Sequence, residues 1–487
     1  MWTPLLLSSM GKSLTGLFLN FQSVVNLGGL GDLGMGGAIN IQTSRLLGKG
    51  DEKELHSFVS SARALFLIMA LLATVFFLGL SPWLPDWLQF EEVSGAGSLT
   101  LLFAVGSLSA GLLILNSYIT NLNYGCGNIT WPVIPSFILI QLGTLCHWLL
   151  ARKHLPLWSQ YLPYVFVSVL GLLLGWIYIR CSHPSLARLR PLIFDWKRIQ
   201  SLLRKSFWIY FYCLGAGICQ TTDRLLISAG FGTERVPAYV FNYKLCELAL
   251  FVVVAASLAS MPKITRWMAS PNATDRERAT RESERLNKYQ TFLGCAAALI
   301  YLAVNDSFMT WWLGAEYKVP FHWQAAFAAN LAVTAAGYVG FDLAARCGDK
   351  GIRIGGIAVL LAALLNLGLS FVAMKSGSIA GIAFATAIAQ SCLVLFLGRY
   401  TSEKINISWW HLSIKTWLLA LAAVGFGFLV RTFLYLSPFL NAAITVGIYI
   451  GALLLIARIL GIRRGDMNEE FKTIRAMFAP PKVSSEP

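Results

Sequence analysis

Long apolar segments alternate with short polar or basic segments along most of the chain, from about residue 14 to residue 461. Apolar runs of roughly 18 or more residues recur, which is the length that an α-helix needs to cross a bilayer. They are too long and too uniformly apolar for the strands of a membrane β-barrel. The pattern predicts thirteen spans, at 14–42, 63–88, 98–121, 133–151, 161–180, 207–228, 239–262, 290–312, 324–346, 353–374, 379–398, 413–433 and 440–461.

Composition supports an all-α, polytopic membrane protein. Hydrophobic residues make up 56% of the 487 residues and charged residues only 13%, with a mean hydropathy of +0.62. A soluble protein of this length needs far more polar surface. The fold class is therefore predicted from the length of the apolar runs and from their number.

The basic residues lie mainly between the spans, and the chain carries a formal net charge of +15. If the 45–62 loop is cytoplasmic and the spans alternate, 30 of the 39 Lys and Arg residues face the cytoplasm and 6 the other side. This bias follows the positive-inside rule. It predicts a multi-pass protein of the cytoplasmic (inner) membrane with a cytoplasmic C-terminus. It also argues against nucleic acid as a partner, because the charge is not gathered on one soluble domain.

Two pairs of short motifs indicate an internal repeat. Thr43-Ser44-Arg45 corresponds to Ile264-Thr265-Arg266, and Cys126-Gly127-Asn128 to Cys347-Gly348-Asp349, both offset by 221 positions (265 − 44 and 347 − 126). The offset maps five N-terminal spans onto five C-terminal ones. The span at 207–228 has no counterpart, so either the first helix of a six-helix unit is missing or the natural chain starts earlier.

These features predict two lobes of five and six helices followed by two additional helices. The predicted domains are an N-terminal lobe at 1–182, a basic cytoplasmic linker at 183–206, a C-terminal lobe at 207–400, two further helices at 401–462 and a cytoplasmic tail at 463–487.

Several motifs, in order and spacing, resemble a known transporter family, the oligosaccharide flippases and polysaccharide biosynthesis proteins of the multidrug/oligosaccharidyl-lipid/polysaccharide exporter superfamily. The matching stretches are Asp32-Leu33-Gly34-Met35-Gly36, Thr43-Ser44-Arg45, Gly50-Asp51, Thr222-Asp223-Arg224, Gly230-Phe231-Gly232, Tyr239, Met261-Pro262, Trp312-Leu313-Gly314-Ala315-Glu316-Tyr317 and Gly381-Ile382-Ala383. The resemblance spans residues 15–400 and departs from the family in lacking its first helix.

The resemblance implies a function. It implies a flippase that moves a polyprenyl-diphosphate-linked oligosaccharide, such as an O-antigen, capsule or exopolysaccharide repeat unit, by alternating access between two lobes. Membrane lipids and the lipid-linked glycan are the implied partners, with a glycan polymerase and glycosyltransferases as further candidates. Two alternatives stay open: a cation-coupled multidrug or small-solute antiporter of the same fold, and a membrane scaffold that transports nothing.

Ionisable side chains within the spans are the candidates for substrate binding, since each costs about 2.5–3.5 kcal/mol to insert. Arg224 and Lys244 are cations that suit a diphosphate, and a guanidinium binds oxyanions with two hydrogen bonds. Lys244 and Glu247 share a helix face, either as a neutralised structural pair or with Lys244 facing a cavity. Arg45, at a cytoplasmic helix end, completes the predicted cavity set with Asp223.

Two carboxylates are candidates for ion coupling. Asp223 is one, because it lies within a span. Arg224 is next to it in the sequence, but the two side chains point about 100° apart around the helix axis. Asp342 is the other; it lies one turn before Arg346, so the alternatives are a buried salt bridge and a protonatable coupling site.

No feature of the sequence points to an enzyme or a cofactor. No Walker A motif is present, so direct use of ATP is not expected. The nine cysteines form no CxxC pair and the six histidines no HExxH spacing, so no metal site is predicted.

Overall fold

A computed structural model of the protein describes residues 34–49, 51–83, 98–128, 130–153, 155–187, 196–232, 235–270, 272–433 and 438–462. Within these ranges every regular element is helical and no strand occurs. The predicted all-α class is confirmed. Residues 14–33 of the first predicted span, residues 84–88 of the second, part of the linker and the tail from 463 lie outside the described residues.

Except for one short helix, the helices overlap the predicted spans, and several begin more than ten residues away from the predicted start. They are α1 Met35–Lys49, α2 Glu52–Leu80, α3 Leu99–Cys126, α4 Thr130–Arg152, α5 Leu162–Ser182, α6 Pro184–Ala187, α7 Trp196–Phe231, α8 Val236–Ala269, α9 Ala273–Trp312, α10 Phe321–Arg346, α11 Asp349–Lys375, α12 Ile379–Ile405, α13 Lys415–Phe433 and α14 Pro438–Leu460. Short 3₁₀ turns precede α5 and α10, and a π-helical turn at Trp410–Ile414 precedes α13. Over the described residues, nine helices are long and apolar enough to cross a membrane. The predicted number of thirteen is not established.

The chain divides within α7 into two compact units, one with the described residues up to Tyr210 and one from Phe211 onward. Residues 196–206, predicted as part of the linker, continue the helix of the 207–228 span without a break. The predicted domain boundaries stay a prediction.

In the first unit, α1 packs closely against α3. A Cβ at Gly125 would lie 2.7 Å from the Cβ of Thr43, so only glycine permits this approach. The hydroxyl of Ser44 donates a hydrogen bond of 3.0 Å to the carbonyl of Gly125. Small and hydroxyl-bearing residues at such contacts are typical of membrane helices, whose association relies on packing and hydrogen bonds.

In the second unit, α10 is the central helix. It is rich in alanine and glycine, its buried residues extend along its whole length, and it packs against α9, α12 and α13. The exposed large apolar residues lie instead on helices such as α11, where Leu361 and Val372 are 61% and 64% exposed. The small side chains of α10 let its neighbours approach closely, which builds a compact core around it.

The helix boundaries follow the 221-residue offset found in the sequence. Helix α2 begins at Glu52 and α9 at Ala273, and each is capped by the preceding side chain. Asp51 accepts from the backbone of Glu54, and Asn272 from that of Thr274. Such caps bind otherwise unpaired N–H groups of a first helical turn. The same start signal therefore recurs at equivalent positions of the two halves.

Replacing Gly337 by alanine is expected to destabilise the second unit. The new Cβ would lie 2.1 Å from a methyl carbon of Val394 on α12, so α10 and α12 must separate. Overpacking of this kind lowers the free energy of unfolding by about 1–3 kcal/mol. The measurement is the denaturant or thermal unfolding of the purified protein in detergent.

Gly368→Ala is the matched control, because a Cβ there meets nothing within 4 Å. Both substitutions improve helix propensity by the same amount, about 1 kcal/mol. The difference between the free energies of unfolding of the two variants therefore reports packing alone. Adding Val394→Ala to Gly337→Ala should restore stability. Equal stability of the two glycine variants would contradict the close contact.

Candidate cation and substrate site

Asp223 lies in α7 with its carboxylate buried in the second unit. Its side chain is 5% exposed. The Tyr239 hydroxyl on α8 donates to Asp223 Oδ2 at 2.8 Å, and the Thr386 hydroxyl on α12 donates to the same oxygen at 3.0 Å. Three helices therefore converge on one carboxylate oxygen.

Further oxygens surround this carboxylate. Thr386 Oγ1 is 3.1 Å from Asn366 Oδ1 and 3.5 Å from the carbonyl oxygen of Ile382. The Ser370 hydroxyl donates to Asn366 Oδ1 at 3.3 Å. A threonine hydroxyl carries one proton, so it can donate to only one of its three acceptors at a time. We call Asp223, Asn366, Ser370, Ile382 and Thr386 the oxygen cluster; it brings together carboxylate, amide, hydroxyl and carbonyl oxygens.

Two polar atoms of this cluster are incompletely satisfied. Asp223 Oδ1 and Asn366 Nδ2 are buried and make no hydrogen bond of normal geometry among the described residues, although the Asn366 side chain interacts with the Asp223 carboxylate. A cavity of about 90 Å³ adjoins Asp223 and is lined by Cys219, Asp223, Arg224, Tyr239, Val240, Tyr243, Leu250, Phe327, Asn330, Thr334, Ala383, Thr386 and Gln390. A buried carboxylate is stable when a cation or a proton neutralises it. The cluster is therefore suited to holding one positive charge.

Arg224 does not hydrogen-bond to Asp223, its neighbour in sequence. Its guanidinium lies 3.5 Å from Glu247 on α8, and Lys244 Nζ lies 2.5 Å from the other oxygen of Glu247. The three side chains are 33%, 51% and 29% exposed for Arg224, Lys244 and Glu247. Two cations share one carboxylate, so this triad has a formal charge of +1 beside the buried Asp223.

An aromatic and polar wall completes the cavity. Asn330 donates to the Tyr243 hydroxyl at 2.9 Å, and Thr334 donates to Asn330 Oδ1 at 3.2 Å. The ring of Tyr243 packs on Phe327 with 5.3 Å between centroids, and that of Tyr239 does so at 4.9 Å. This wall holds Tyr239 in place for its hydrogen bond to Asp223.

Asp342 and Arg346 form a two-point salt bridge at the end of α10. Arg346 Nε lies 3.1 Å from Asp342 Oδ1 and Nη2 lies 3.4 Å from Oδ2. Arg346 Nη1 also donates to the Thr265 hydroxyl on α8 at 3.0 Å. This geometry matches the salt-bridge alternative, while ion coupling at Asp342 stays a prediction. Arg45 is half-buried near the end of α1 in the first unit.

Sequence reasoning missed several residues of these sites. The neutral partners Asn366, Ser370 and Thr386 were not singled out. A second ionic contact also went unnoticed: Arg431 of α13 pairs with Asp306 of α9, whose other oxygen accepts from Gln324 at 2.6 Å. The signal for Asp306 was present, because it is an acidic residue inside the predicted span at 290–312.

Comparison of the structure with solved structures finds transporters of one fold. An outward-facing MATE family multidrug resistance transporter of the MOP superfamily matches with a TM-score of 0.65 at 13% identity, over 82% of this chain and 89% of that one. A MOP superfamily transporter from Pyrococcus furiosus matches with a TM-score of 0.64 at 14% identity, over 83% and 90%. The bent form of VcmN, a MATE transporter of Vibrio cholerae, gives a TM-score of 0.56 at 13% identity, over 82% and 89%.

The chain has the MATE fold. Its sequence matches no protein-family profile and no curated protein. At 13–14% identity the likeness shows the fold alone. The narrower resemblance to oligosaccharide flippases is not confirmed, because the similar structures are MATE and MOP transporters. These neighbours are transporters and not enzymes.

Proposed function

We propose that this protein is a cation-coupled exporter that works by alternating access, with Asp223 as the coupling carboxylate. The observation that carries the proposal is the oxygen cluster, in which a buried carboxylate beside a cavity has one oxygen without a hydrogen bond of normal geometry among the described residues. Ionisable groups at membrane depth are costly, and they commonly mark ion pathways.

The chemistry of the cluster selects the kind of ion. Its ligands are carboxylate, amide, hydroxyl and carbonyl oxygens, which suit hard cations. Among the described residues, no three His, Cys, Asp or Glu side chains come together to hold a metal ion. One carboxylate balances one positive charge. A proton or a monovalent cation such as Na⁺ fits this count better than a divalent ion.

For the cargo, we propose a small organic solute as the first candidate. The MATE fold supports it, since one similar structure is that of a multidrug resistance transporter. A cation-coupled exporter of small solutes is one of the two alternatives that the sequence leaves open beside a flippase. Binding of the cation at Asp223 and of the cargo elsewhere would bias the same two states of the transporter.

A polyprenyl-diphosphate-linked oligosaccharide is the second candidate. The observation that favours it is the Arg224–Glu247–Lys244 triad, whose formal charge of +1 suits a diphosphate better than an organic cation. A membrane scaffold that transports nothing would not need the buried Asp223 carboxylate, so that alternative leaves this feature unexplained.

Transport by purified protein in sealed vesicles tests both candidates. Vesicles with an imposed Na⁺ gradient, an imposed proton gradient or neither are loaded with a fluorescent organic cation or with a fluorescent polyprenyl-diphosphate sugar. We expect gradient-dependent movement of one cargo and not of the other. Movement of neither cargo under any gradient would contradict an exporter.

Lys244→Gln is expected to separate the two cargoes. For a diphosphate-linked cargo it removes a charge-assisted contact, so the apparent affinity should fall about tenfold. For an organic cation it removes a repulsive charge, so the affinity should stay the same or rise. Lys318→Gln is the control, because Lys318 is an exposed lysine beside the 3₁₀ turn before α10. If both variants behave alike with both cargoes, the triad has no role in cargo binding.

A further inference from the structure

Two adjoining cavities lie at one end of the second unit, away from the oxygen cluster. The first, of about 220 Å³, is lined by Glu284, Asn287, Lys288, Ile407, His411, Leu412, Lys415 and Leu460. The second, of about 200 Å³, is lined by Arg281, Glu284, Arg285, Lys288, Tyr289, Gly461 and Ile462. They share Glu284 and Lys288. We call them together the basic cavity.

Cations dominate the walls of the basic cavity. Arg281, Arg285, Lys288 and Lys415 line it, against Glu284 alone among the acids. Two further acids lie nearby: Glu277 is 3.4 Å from Arg281, in a pair that is 71–73% exposed, and Glu282 is 3.9 Å from Arg285. The exposed Arg281–Glu277 pair is of a kind that is weak and rearranges easily. Within the described residues, Lys288 has no ion-pair partner.

The cavity lies where α9 changes character. From Ala273 to Lys288 the helix is highly charged, and beyond Lys288 it is mainly apolar up to Trp312. That change places Lys288 at the surface of the bilayer, on the side that the charge bias assigns to the cytoplasm. Basic pockets between membrane helices on this side bind phosphate-bearing lipid headgroups.

The floor of the cavity is apolar. Ile407, Leu412 and Leu460 are each at most 4% exposed. The π-helical turn Trp410–Ile414 shapes this floor, and Asn287 fixes the turn by donating to the carbonyl of Leu412 at 2.9 Å. Nearby, the Lys415 ammonium donates to the carbonyl of Ile459 at 2.7 Å and so caps the end of α14. Cations and apolar side chains thus meet at one place.

Each of the two adjoining cavities has room for a phosphate headgroup, at about 220 Å³ and about 200 Å³. A phosphate needs only a few donors, and it gains from a nearby ammonium. Because the floor is apolar and the lining helices continue into the bilayer, a ligand with a phosphate and an acyl chain fits better than a free ion.

We propose that the basic cavity binds the phosphate headgroup of an anionic phospholipid, with Lys288 as its main contact. This site is separate from the oxygen cluster and does not depend on which cargo or ion the transporter uses. The bound lipid would hold α9, the end of α14 and the turn before α13 together, and so stabilise the protein.

Lipid-dependent thermal stability of the full-length purified protein in detergent tests the proposal. The melting temperature is followed as phosphatidylglycerol, phosphatidylcholine with the same acyl chains, or inorganic phosphate is added. We expect phosphatidylglycerol to raise the melting temperature in a saturable way, with little response to the other two. For Lys288→Gln the half-saturating concentration should rise about tenfold.

Lys350→Gln is the matched control. Lys350 is an exposed lysine near the start of α11, so its loss removes the same charge without touching the cavity. The phosphatidylglycerol concentration that half-saturates Lys350→Gln should match that of the unmodified protein. Equal stabilisation by phosphatidylcholine, or equal weakening in both variants, would overturn the proposal. If inorganic phosphate raised the melting temperature as much as phosphatidylglycerol does, a lipid would not be the ligand of this cavity.

Discussion

Asp223→Asn is expected to abolish ion-coupled transport while leaving the protein folded. Asparagine has the same shape, and its carbonyl oxygen can still accept the hydrogen bonds from Tyr239 and Thr386. It carries no charge, so a proton or Na⁺ loses the one ligand that neutralises it. Binding of the coupling cation should weaken by about 100-fold, since charge-assisted contacts contribute about 1.5–3 kcal/mol each.

The measurement has two parts. The first is gradient-driven transport in vesicles, and the second is the rise in melting temperature as Na⁺ replaces a large organic cation, at several pH values. The unmodified protein should respond to Na⁺ or to pH, and Asp223→Asn to neither. Without Na⁺, the melting temperature of Asp223→Asn should not be lower than that of the unmodified protein, because removing a buried charge removes a desolvation penalty.

Thr386→Ser is the matched control for this site. Serine keeps the hydroxyl that contacts Asp223 and Asn366, so cation binding should change little. Thr386→Val removes the hydroxyl and should weaken binding, though less than Asp223→Asn does. If Asp223→Asn transports with an unchanged ion dependence, the coupling carboxylate lies elsewhere.

The helices could be predicted from the sequence because lipid imposes a simple requirement on the chain. A segment that crosses the bilayer must satisfy its own backbone hydrogen bonds, so long apolar runs become helices. Helix α9 shows the limit of this argument. The apolar run predicts a span from residue 290, whereas the helix begins at Ala273, because its charged first turns lie outside the apolar run and carry no hydropathy signal.

The candidate site could be predicted only in part. Asp223 and Arg224 stand out in a sequence because a charge inside a span is costly. Asn366 and Thr386 do not, because neutral polar residues are common in membrane helices and their hydrogen bonds contribute little. Asp223 lies 143 and 163 positions from these two residues, so no local spacing indicates that they meet. Only the packing of α7, α11 and α12 brings them together.

The cargo is harder to predict than the fold, for a related reason. The motifs that resemble oligosaccharide flippases include turns such as Trp312-Leu313-Gly314, which lies where α9 ends. Such motifs preserve a fold, and one fold supports many functions. The charge of the residues around the cavity is a better guide, and here it combines one buried carboxylate with a triad of formal charge +1.

Asp342→Asn is expected to destabilise the protein without changing its ion dependence. Arg346 has a side chain only 5% exposed, and it makes two contacts with the Asp342 carboxylate. Breaking such a pair leaves a buried cation without its carboxylate, which lowers the free energy of unfolding by about 3–5 kcal/mol. Unfolding of the purified protein in detergent measures this loss, beside the transport assay used for Asp223→Asn.

The double variant Asp342→Asn, Arg346→Gln separates a salt bridge from a coupling site. Removing both charges should recover much of the stability lost by the single change, because a neutral pair leaves no buried charge uncompensated. Transport per folded molecule should then keep its original dependence on Na⁺ and pH. If instead the double variant is stable but has lost that dependence, Asp342 is a coupling residue, and the salt bridge with Arg346 is part of the transport cycle.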